Sequence, residues 1–230
     1  MKRSEINAAL KEMEQMVQKY RFALPPFCNF TPEEWGKKGH DYDEIRDNML
    51  GWDITDYGLG DFDKVGFSLI TIRNGNLNMK DKYTKTYAEK LLISEEDQYA
   101  PMHFHFLKTE DIINRGGGNL VVELYKSTPE EELDRVSDVT VSTDGRVRVL
   151  PAGGHLVLTP GESVTLPPRL YHAFWAEKGT GKVLIGEVSK VNDDCTDNRF
   201  YENMGRFPEI EEDEAPYRLL CNEYPSFKEG

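Results

Sequence analysis

The stretch that decides the fold runs from Pro101 to Gly117 and reads Pro-Met-His-Phe-His-Phe-Leu-Lys-Thr-Glu-Asp-Ile-Ile-Asn-Arg-Gly-Gly. One residue separates His103 from His105, and successive side chains of a β-strand point to opposite faces. The spacing therefore predicts a strand with both imidazoles on one face. Glu110 follows a break in the alternation, so a turn can bring its carboxylate to the same pocket. Two imidazoles and one carboxylate are a recognised ligand set for a divalent metal ion.

A second stretch, from Gly161 to His172, supplies a third histidine and reads Gly-Glu-Ser-Val-Thr-Leu-Pro-Pro-Arg-Leu-Tyr-His. The two stretches resemble the two motifs of the cupin superfamily. The first motif is His, any residue, His, four residues, Glu, six residues, Gly, and it is complete here. The second motif is Gly, five residues, Pro and then His. Arg169 stands where cupins often carry glycine, and Ala176 where they often carry asparagine, but no ligand position is lost.

An ordinary structural role for these histidines is the alternative, because most His-x-His pairs on strands are half-buried, hydrogen-bonded side chains. The two ordered motifs together favour a metal site. His40 and His155 belong to neither motif, and we interpret them as surface or core residues.

The chain after residue 60 has the pattern of an all-β protein, with short β-branched runs separated by Gly, Pro, Asp or Asn. We predict a cupin barrel, that is, a double-stranded β-helix or jelly roll, with N-terminal helices and an irregular C-terminal extension. The predicted strands are Val65–Arg73, Thr86–Ser94, Ala100–Phe106, Leu120–Ser127, Val139–Ser142, Val147–Leu150, Leu156–Thr159, Ser163–Leu166, His172–Glu177 and Lys182–Val191.

The N-terminal part is predicted to be helical. Apolar residues recur at helical spacing from Ser4 to Tyr20, Thr31 begins a capping box followed by proline, and a third helix is expected over Asp43–Met49. We expect one structural domain in three parts, namely a helical segment (1–60), the barrel (61–192) and the extension (193–230).

Composition excludes several classes of partner. With 28 basic and 41 acidic residues the net charge is -13, which repels phosphate backbones and anionic membranes, so neither nucleic acid nor membrane is expected as a partner. The N-terminus lacks the apolar run of a signal peptide, and no apolar stretch is long enough to span a bilayer. Cys28, Cys195 and Cys221 are odd in number and widely spaced, which fits a reducing cytoplasm.

Two lysines and a glutamate are candidates for chemistry. Lys108 lies between two predicted ligands, so the motif itself carries it to the pocket, where it could donate a proton. Lys90 shares a strand face with Ala88 and Leu92, although an ordinary solvated lysine is the alternative. Glu187 is a carboxylate within an apolar strand, and it is either a general base or the acceptor of a salt bridge.

Two further residues are candidates for contact with a sugar. Trp175 is expected on the face opposite His172, but a bend could turn its ring toward the ligand, where it would stack on a sugar; the alternative is a core residue. Asp194 lies in the sequence Asn-Asp-Asp-Cys-Thr-Asp-Asn-Arg, which is either a ligand-contacting loop or the start of a capped helix.

Beyond the cupin motifs, the chain resembles the bacterial D-lyxose isomerase family. The resemblance is carried by Tyr99-Ala-Pro-Met-His-Phe-His, Asn114-Arg-Gly-Gly-Gly-Asn-Leu, Pro167-Pro-Arg-Leu-Tyr-His-Ala-Phe-Trp and Gly186-Glu-Val-Ser-Lys-Val-Asn-Asp-Asp. It implies a ketol-isomerase that interconverts D-lyxose with D-xylulose and D-mannose with D-fructose, and a homodimer.

The resemblance also implies a divalent metal, commonly manganese, with zinc, cobalt or iron as alternatives. The implied ligands are His103, His105, Glu110 and His172. From their placement we expect Lys108 and Glu187 to be catalytic, and we expect the substrate to contact Lys90, Trp175 and Asp194.

Two other functions fit the same residues. Many cupins bind ferrous iron with this ligand set and act as dioxygenases. A cupin can also bind a sugar without turnover, because the fold alone does not select a function. Within the isomerase hypothesis, the sequence leaves proton transfer and a hydride shift open.

Overall fold

The computed structural model describes residues 1–191, 193 and 196–227. The helices are α1 (Arg3–Lys19), α2 (Pro32–Trp35) and α3 (Asp43–Asp47), with 3₁₀ turns at Pro26–Asn29 and His40–Tyr42. The strands are β1 (Gly51–Thr55), β2 (Phe67–Arg73), β3 (Tyr87–Ser94), β4 (Ala100–His105), β5 (Glu110–Gly117), β6 (Leu120–Ser127), β7 (Leu133–Asp134), β8 (Val139–Thr143), β9 (Arg146–Leu150), β10 (Gly154–Leu158), β11 (Ser163–Leu166), β12 (Leu170–Ala176), β13 (Val183–Lys190) and β14 (Asn198–Phe200).

These strands form two antiparallel sheets that enclose the main core. Over the described residues, the larger sheet has eight strands in the order β1-β2-β3-β13-β5-β11-β8-β9. The smaller sheet has the order β10-β6-β12-β4-β14, with β7 paired to β6. The predicted class, an all-β barrel preceded by helices, is confirmed. No helix of the described residues is both long and apolar enough to cross a membrane.

Helix α1 covers part of the outer face of the larger sheet. Its stripe of Ile6, Leu10, Met13 and Val17 is buried, while its charged residues other than Arg3 are exposed or half-buried. The stripe packs with outward-facing strand residues, among them Ile54, Ile70, Leu91 and Leu184. Burial of this apolar stripe, rather than helix propensity, stabilises α1 on the sheet.

The inner face of the larger sheet changes character along its strands. One end is apolar, and it carries Leu69, Leu92, Ile112 and Ile185 against the smaller sheet. Two positions further along the same four strands, the inward-facing residues are Thr71, Lys90, Glu110 and Glu187, all buried. Because residues two apart share a strand face, the apolar core ends in a polar layer inside the barrel.

The turn before β12 has the left-handed backbone conformation that glycine favours, although its residue is an arginine. Arg169 has φ 64°, in the left-handed region that side chains enter at a cost of about 1 kcal/mol. Its N–H donates to the carbonyl oxygen of His105 at 2.8 Å, and its guanidinium lies 5.1 Å from the ring centre of Phe104. These contacts offset the strain, so the departure from the cupin motif leaves the turn intact.

Four strands of the described residues were not predicted from the sequence, namely β1, β5 and the short β7 and β14. β1 has both faces buried, so it shows no alternation. β5 ends in Asn-Arg-Gly-Gly, a sequence typical of a loop, but the strand pairs with β13 and β11. The third helix ends at Asp47 rather than Met49, because Met49 takes φ 51°.

The segments that flank the barrel both contribute to the sheets. β1, from segment 1–60, forms one edge of the larger sheet, and β14, from segment 193–230, pairs with β4. Leu220 bridges Trp52 of β1, so the C-terminal stretch covers this sheet edge. The predicted boundaries at residues 60 and 192 stay a prediction.

Candidate active site

Three buried histidines converge on the inner face of the smaller sheet. β12 pairs with β4, and the register sets His172 beside His103. His105 follows two positions along β4 and therefore points to the same side. Ligand atoms of the three imidazoles all lie within 4.8 Å of one another. The predicted His-x-His face and the third histidine thus form one cluster.

Backbone carbonyl groups fix the orientation of two of these rings. The Nδ1 atom of His103 lies 2.7 Å from the carbonyl oxygen of Pro101, and that of His172 lies 3.0 Å from the carbonyl oxygen of Leu170. A carbonyl oxygen only accepts, so the ring proton resides on Nδ1 in both histidines. Each unprotonated Nε2 is left for a ligand, as in metal sites whose histidines are oriented by an outer hydrogen bond.

Glu110 reaches the cluster from β5 in the other sheet. Its Oε1 atom lies 3.1 Å from Nε2 of His105 and 3.1 Å from Nε2 of His172. Within the described part of the chain, Glu110 Oε1 and both ring nitrogens of His105 are buried without a hydrogen-bond partner. Buried polar atoms without a hydrogen-bond partner are rare in proteins, and an ion or a water molecule bound to them is a common explanation.

The separations fit a shared divalent cation. Donors at about 2.1 Å from an ion, set at right angles around it, would be about 3.0 Å apart. Both 3.1 Å separations therefore match neighbouring ligands. At His172, whose Nε2 carries no proton, the contact would otherwise set two acceptors against each other. The nitrogen and carboxylate donors suit a borderline divalent ion.

A row of charged side chains, formed by Lys108, Glu187 and Lys90, lies next to the histidine cluster. Lys108 Nζ lies 2.7 Å from Oε2 of Glu110 and 3.0 Å from Oε1 of Glu187. Lys90 Nζ lies 3.5 Å from the same Glu187 oxygen, and the Ser189 hydroxyl donates to it at 3.1 Å. β3 pairs with β13 in a register that sets Lys90 beside Glu187, so neighbouring strands build this row.

Electrostatics holds the cluster in the protonation state that a metal requires. Burial opposes ionisation of Glu110, but Lys108 and the two nearby imidazoles outweigh it and keep the pKa of Glu110 well below its usual range. Burial, and then neighbouring histidines, lower the pKa of His103 well below its ordinary value. Burial and the charge of Lys108 lower the pKa of His105. An ionised carboxylate and neutral imidazoles are the ligand forms that bind metal.

These side chains share one cavity between the sheets. About 50 Å³ of it is accessible to the centre of a water-sized sphere. The cavity is lined by Thr55, Tyr57, Phe67, Leu69, Lys90, Leu92, His103, His105, Lys108, Glu110, Ile112, His172, Phe174, Glu187, Asn198, Phe200 and Arg206.

Most of the predicted site residues meet here, but Trp175 does not line the cavity. Its ring lies 5.6 Å from Tyr99 and 5.2 Å from His155, on the face of β12 opposite His172 that alternation predicts. β12 pairs with β6 without a register shift from Leu170 to Ala176, and a contact of Trp175 with a sugar stays a prediction. Asp194 lies outside the described residues.

Sequence analysis missed the residues that the flanking segments bring to the cavity. Asn198 and Phe200 come from β14, where the register sets them beside His105 and His103. Arg206 follows and forms an ion pair with the buried Asp53 of β1. No motif signals these residues, whereas alternation could have predicted the cavity residues Phe174, Leu92 and Ile112, which lie two positions from His172, Lys90 and Glu110.

Known proteins with similar sequences are sugar isomerases. The sequence model described as D-lyxose isomerase matches residues 1–224. A D-lyxose/D-mannose isomerase of Serratia proteamaculans is 47% identical over 228 residues, which cover 99% of each chain. One of Escherichia coli O157:H7 is 47% identical over 229 residues, covering 99% of this chain and 100% of that protein.

Known structures show a similar fold at low sequence identity. The L-ribose isomerase of Cellulomonas parahominis, solved with L-ribose, superimposes with a TM-score of 0.59 at 15% identity, covering 92% of this chain and 98% of that one. The L-ribose isomerase of Geodermatophilus obscurus gives 0.58 at 14% identity, with 91% and 98% covered.

Fold, cavity and relatives together define an enzyme of the sugar-isomerase class, built on a two-sheet barrel. More narrowly, the chain belongs to the D-lyxose isomerase family.

The histidine cluster can be tested by substitution. We expect His103→Ala, His105→Ala and His172→Ala each to lose bound divalent metal, because the described residues offer no replacement nitrogen in the cluster. Elemental analysis after dialysis measures the loss, and circular dichroism checks the fold. His155→Ala is the matched control, since this ring packs on Trp175 outside the cavity. Full metal content in all three variants would refute the site.

Proposed function

We propose that the protein is a metal-dependent aldose–ketose isomerase that interconverts D-lyxose with D-xylulose and D-mannose with D-fructose. The two relatives at 47% identity bear the name D-lyxose/D-mannose isomerase, and their matches extend over nearly the whole chain. The observation that carries the proposal is the position of Lys108. Its ammonium bridges Glu110 of the ligand cluster and the separate carboxylate of Glu187 at 2.7 and 3.0 Å.

In this proposal His103, His105, Glu110 and His172 hold a divalent metal, with manganese favoured over zinc, cobalt or iron. When bound, such an ion supplies a Lewis acid that polarises the sugar's oxygens. The orphaned Oε1 of Glu110 and the carbonyl-oriented imidazoles support this assignment.

The reaction moves one hydrogen from C2 to C1 and one from O2 to O1, and it needs no oxidant. We assign Glu187 as the base that takes the proton from C2 and returns it to C1 through an ene-diol. Lys108 is the donor to the carbonyl oxygen, which gains negative charge as the proton leaves C2. Both groups are buried, and a donor in a water-poor site stabilises developing charge more strongly than one in water.

Lys90 is assigned to binding a sugar hydroxyl. Its ammonium lines the cavity and lies 3.5 Å from Glu187, so it stands beside the proposed base. Asp194 keeps the substrate-binding role predicted from sequence, whereas the position of Trp175 gives that role no support. From the family resemblance we further infer a homodimer that acts in the cytoplasm.

The activity is tested with a panel of aldoses and ketoses. Purified protein dialysed against chelator and reloaded with Mn²⁺ is incubated without oxygen, and products are separated by chromatography. We expect D-lyxose to give D-xylulose and D-mannose to give D-fructose, with loss of turnover in the chelated sample. Anaerobic turnover excludes a dioxygenase. Absence of any ketose after long incubation with metal would reject the proposal.

The assignment of the base is tested with Glu187→Gln. This variant keeps the size of the side chain but cannot accept a proton, so we expect kcat to fall by about a hundredfold or more. Metal content should stay unchanged. Glu89→Gln is the matched control, because Glu89 lies on the outer side of β3 and pairs with Arg73.

Isotope exchange completes this test. With D-lyxose deuterated at C2, a proton-transfer route releases label to solvent during turnover by the unsubstituted enzyme. Full retention of the label in D-xylulose, together with an active Glu187→Gln variant, would instead establish a hydride shift and remove Glu187 from the chemistry.

A further inference from the structure

The turn between β4 and β5 carries the proposed proton donor. Its four residues, 106–109, connect His105 to Glu110, and Lys108 is the third of them. Lys108 contacts two carboxylates at 2.7 and 3.0 Å, and 2% of its side chain is exposed. Lysine has a long, flexible side chain, so the position of its ammonium depends on how firmly the turn backbone is held.

Asp197 accepts hydrogen bonds from the backbone N–H groups of three consecutive residues in this turn. Its backbone carbonyl accepts from Phe106 at 3.1 Å. Its carboxylate accepts from the N–H of Leu107 at 2.9 Å through Oδ1, and from that of Lys108 at 3.1 Å through Oδ2. Asp197 is itself 4% exposed. Charge-assisted bonds of this kind are among the stronger hydrogen bonds in proteins.

Among the described residues, two other backbone hydrogen bonds hold the ends of the turn. The N–H of Arg169 donates to the carbonyl oxygen of His105 at 2.8 Å, and the N–H of Lys190 donates to that of Thr109 at 3.0 Å. The amides of Leu107 and Lys108 lie between these anchors. The Asp197 carboxylate is therefore the group that fixes the backbone from which Lys108 extends.

We infer that Asp197 is a positioning residue, which holds the Lys108 ammonium between Glu110 and Glu187 by binding the amides of Leu107 and Lys108. Within the described part of the chain, the hydrogen bonds of Asp197 join it to the turn and to Asp193 rather than to the proposed metal ligands. The inference rests on the proposed function only in giving Lys108 a part in turnover. A displacement of about 1 Å at a reacting group lowers rates by up to about a hundredfold, so loss of this anchor acts on kcat.

The test is Asp197→Asn in the metal-loaded, full-length enzyme. An asparagine side chain has a single acceptor oxygen, and its NH₂ group cannot accept from the second amide. We expect kcat for D-lyxose to fall about ten- to a hundredfold, with KM and bound metal within about twofold of the unsubstituted values. Asp197→Ala loses both acceptors and should be slower still.

A matched control removes the same kind of bond elsewhere. The carboxylate of Asp213 accepts from the N–H of Ser4 at 2.9 Å through Oδ1 and from the Ser4 hydroxyl at 2.6 Å through Oδ2, outside the cavity. Asp213→Asn likewise loses one of two acceptor oxygens and should leave kcat unchanged. An equal fall in kcat in both variants would mean a general effect on the fold and overturn the inference.

A double-mutant cycle identifies the group through which Asp197 acts. Lys108→Met removes the ammonium, so adding Asp197→Asn should change kcat by less than about twofold. Residues that act through one another show this failure of additivity, whereas independent sites do not. If the two losses multiply, Asp197 acts by another route and the inference fails.

Crystal structures separate failure of this inference from failure of the proposed function. In metal-loaded Asp197→Asn we expect Lys108 Nζ to be displaced from Glu187, while the histidine cluster keeps its geometry. Displacement supports the positioning role even if the unsubstituted protein isomerises none of the sugars tested. An unmoved ammonium with unchanged kcat would overturn the positioning role alone.

Discussion

The ion pair between Glu110 and Lys108 is the interaction on which the candidate site depends. A carboxylate with 2% of its side chain exposed stays ionised only when neighbouring groups offset its lost hydration. Lys108 does this and is in turn balanced by Glu187, which also faces Lys90. The two lysines and two glutamates of this layer carry no net charge together. A divalent cation added beside them leaves the cavity positive, which suits a substrate that develops negative charge.

The barrel brings these groups together through strand register rather than through a contiguous motif. On the larger sheet, polar residues replace apolar ones at the same level of several strands, so β3, β13 and β5 each contribute one charged side chain. The smaller sheet faces this layer with the histidines of β4 and β12. The C-terminal segment closes the arrangement, because β14 pairs with β4 and Asp197 holds the turn that carries Lys108. Metal cluster, proposed base and proposed donor are thus fixed by four strands and one turn.

Local pattern was enough to predict the parts of the site that depend on local geometry. His103 and His105 share a face because of strand alternation, and Lys90 shares one with Leu92 for the same reason. Pairing between distant strands cannot be read from a single chain, so the contact of Lys90 with Glu187 was beyond prediction. Arg206 and Asn198 come from a segment without periodicity. Trp175 keeps the face opposite His172 that alternation predicts, because β12 pairs with β6 without a register shift from Leu170 to Ala176. β1 was missed because burial on both faces removes the alternation by which strands are recognised.

The most direct test of the central claim is anomalous diffraction from crystals loaded with Mn²⁺, recorded on both sides of the manganese absorption edge. In the proposed site, two opposed sheets hold one cation between three imidazoles and a buried carboxylate. We expect one strong anomalous peak about 2.1 Å from Nε2 of each cluster histidine and from Oε1 of Glu110. No peak inside the barrel, with a peak instead on the acidic surface, would contradict it.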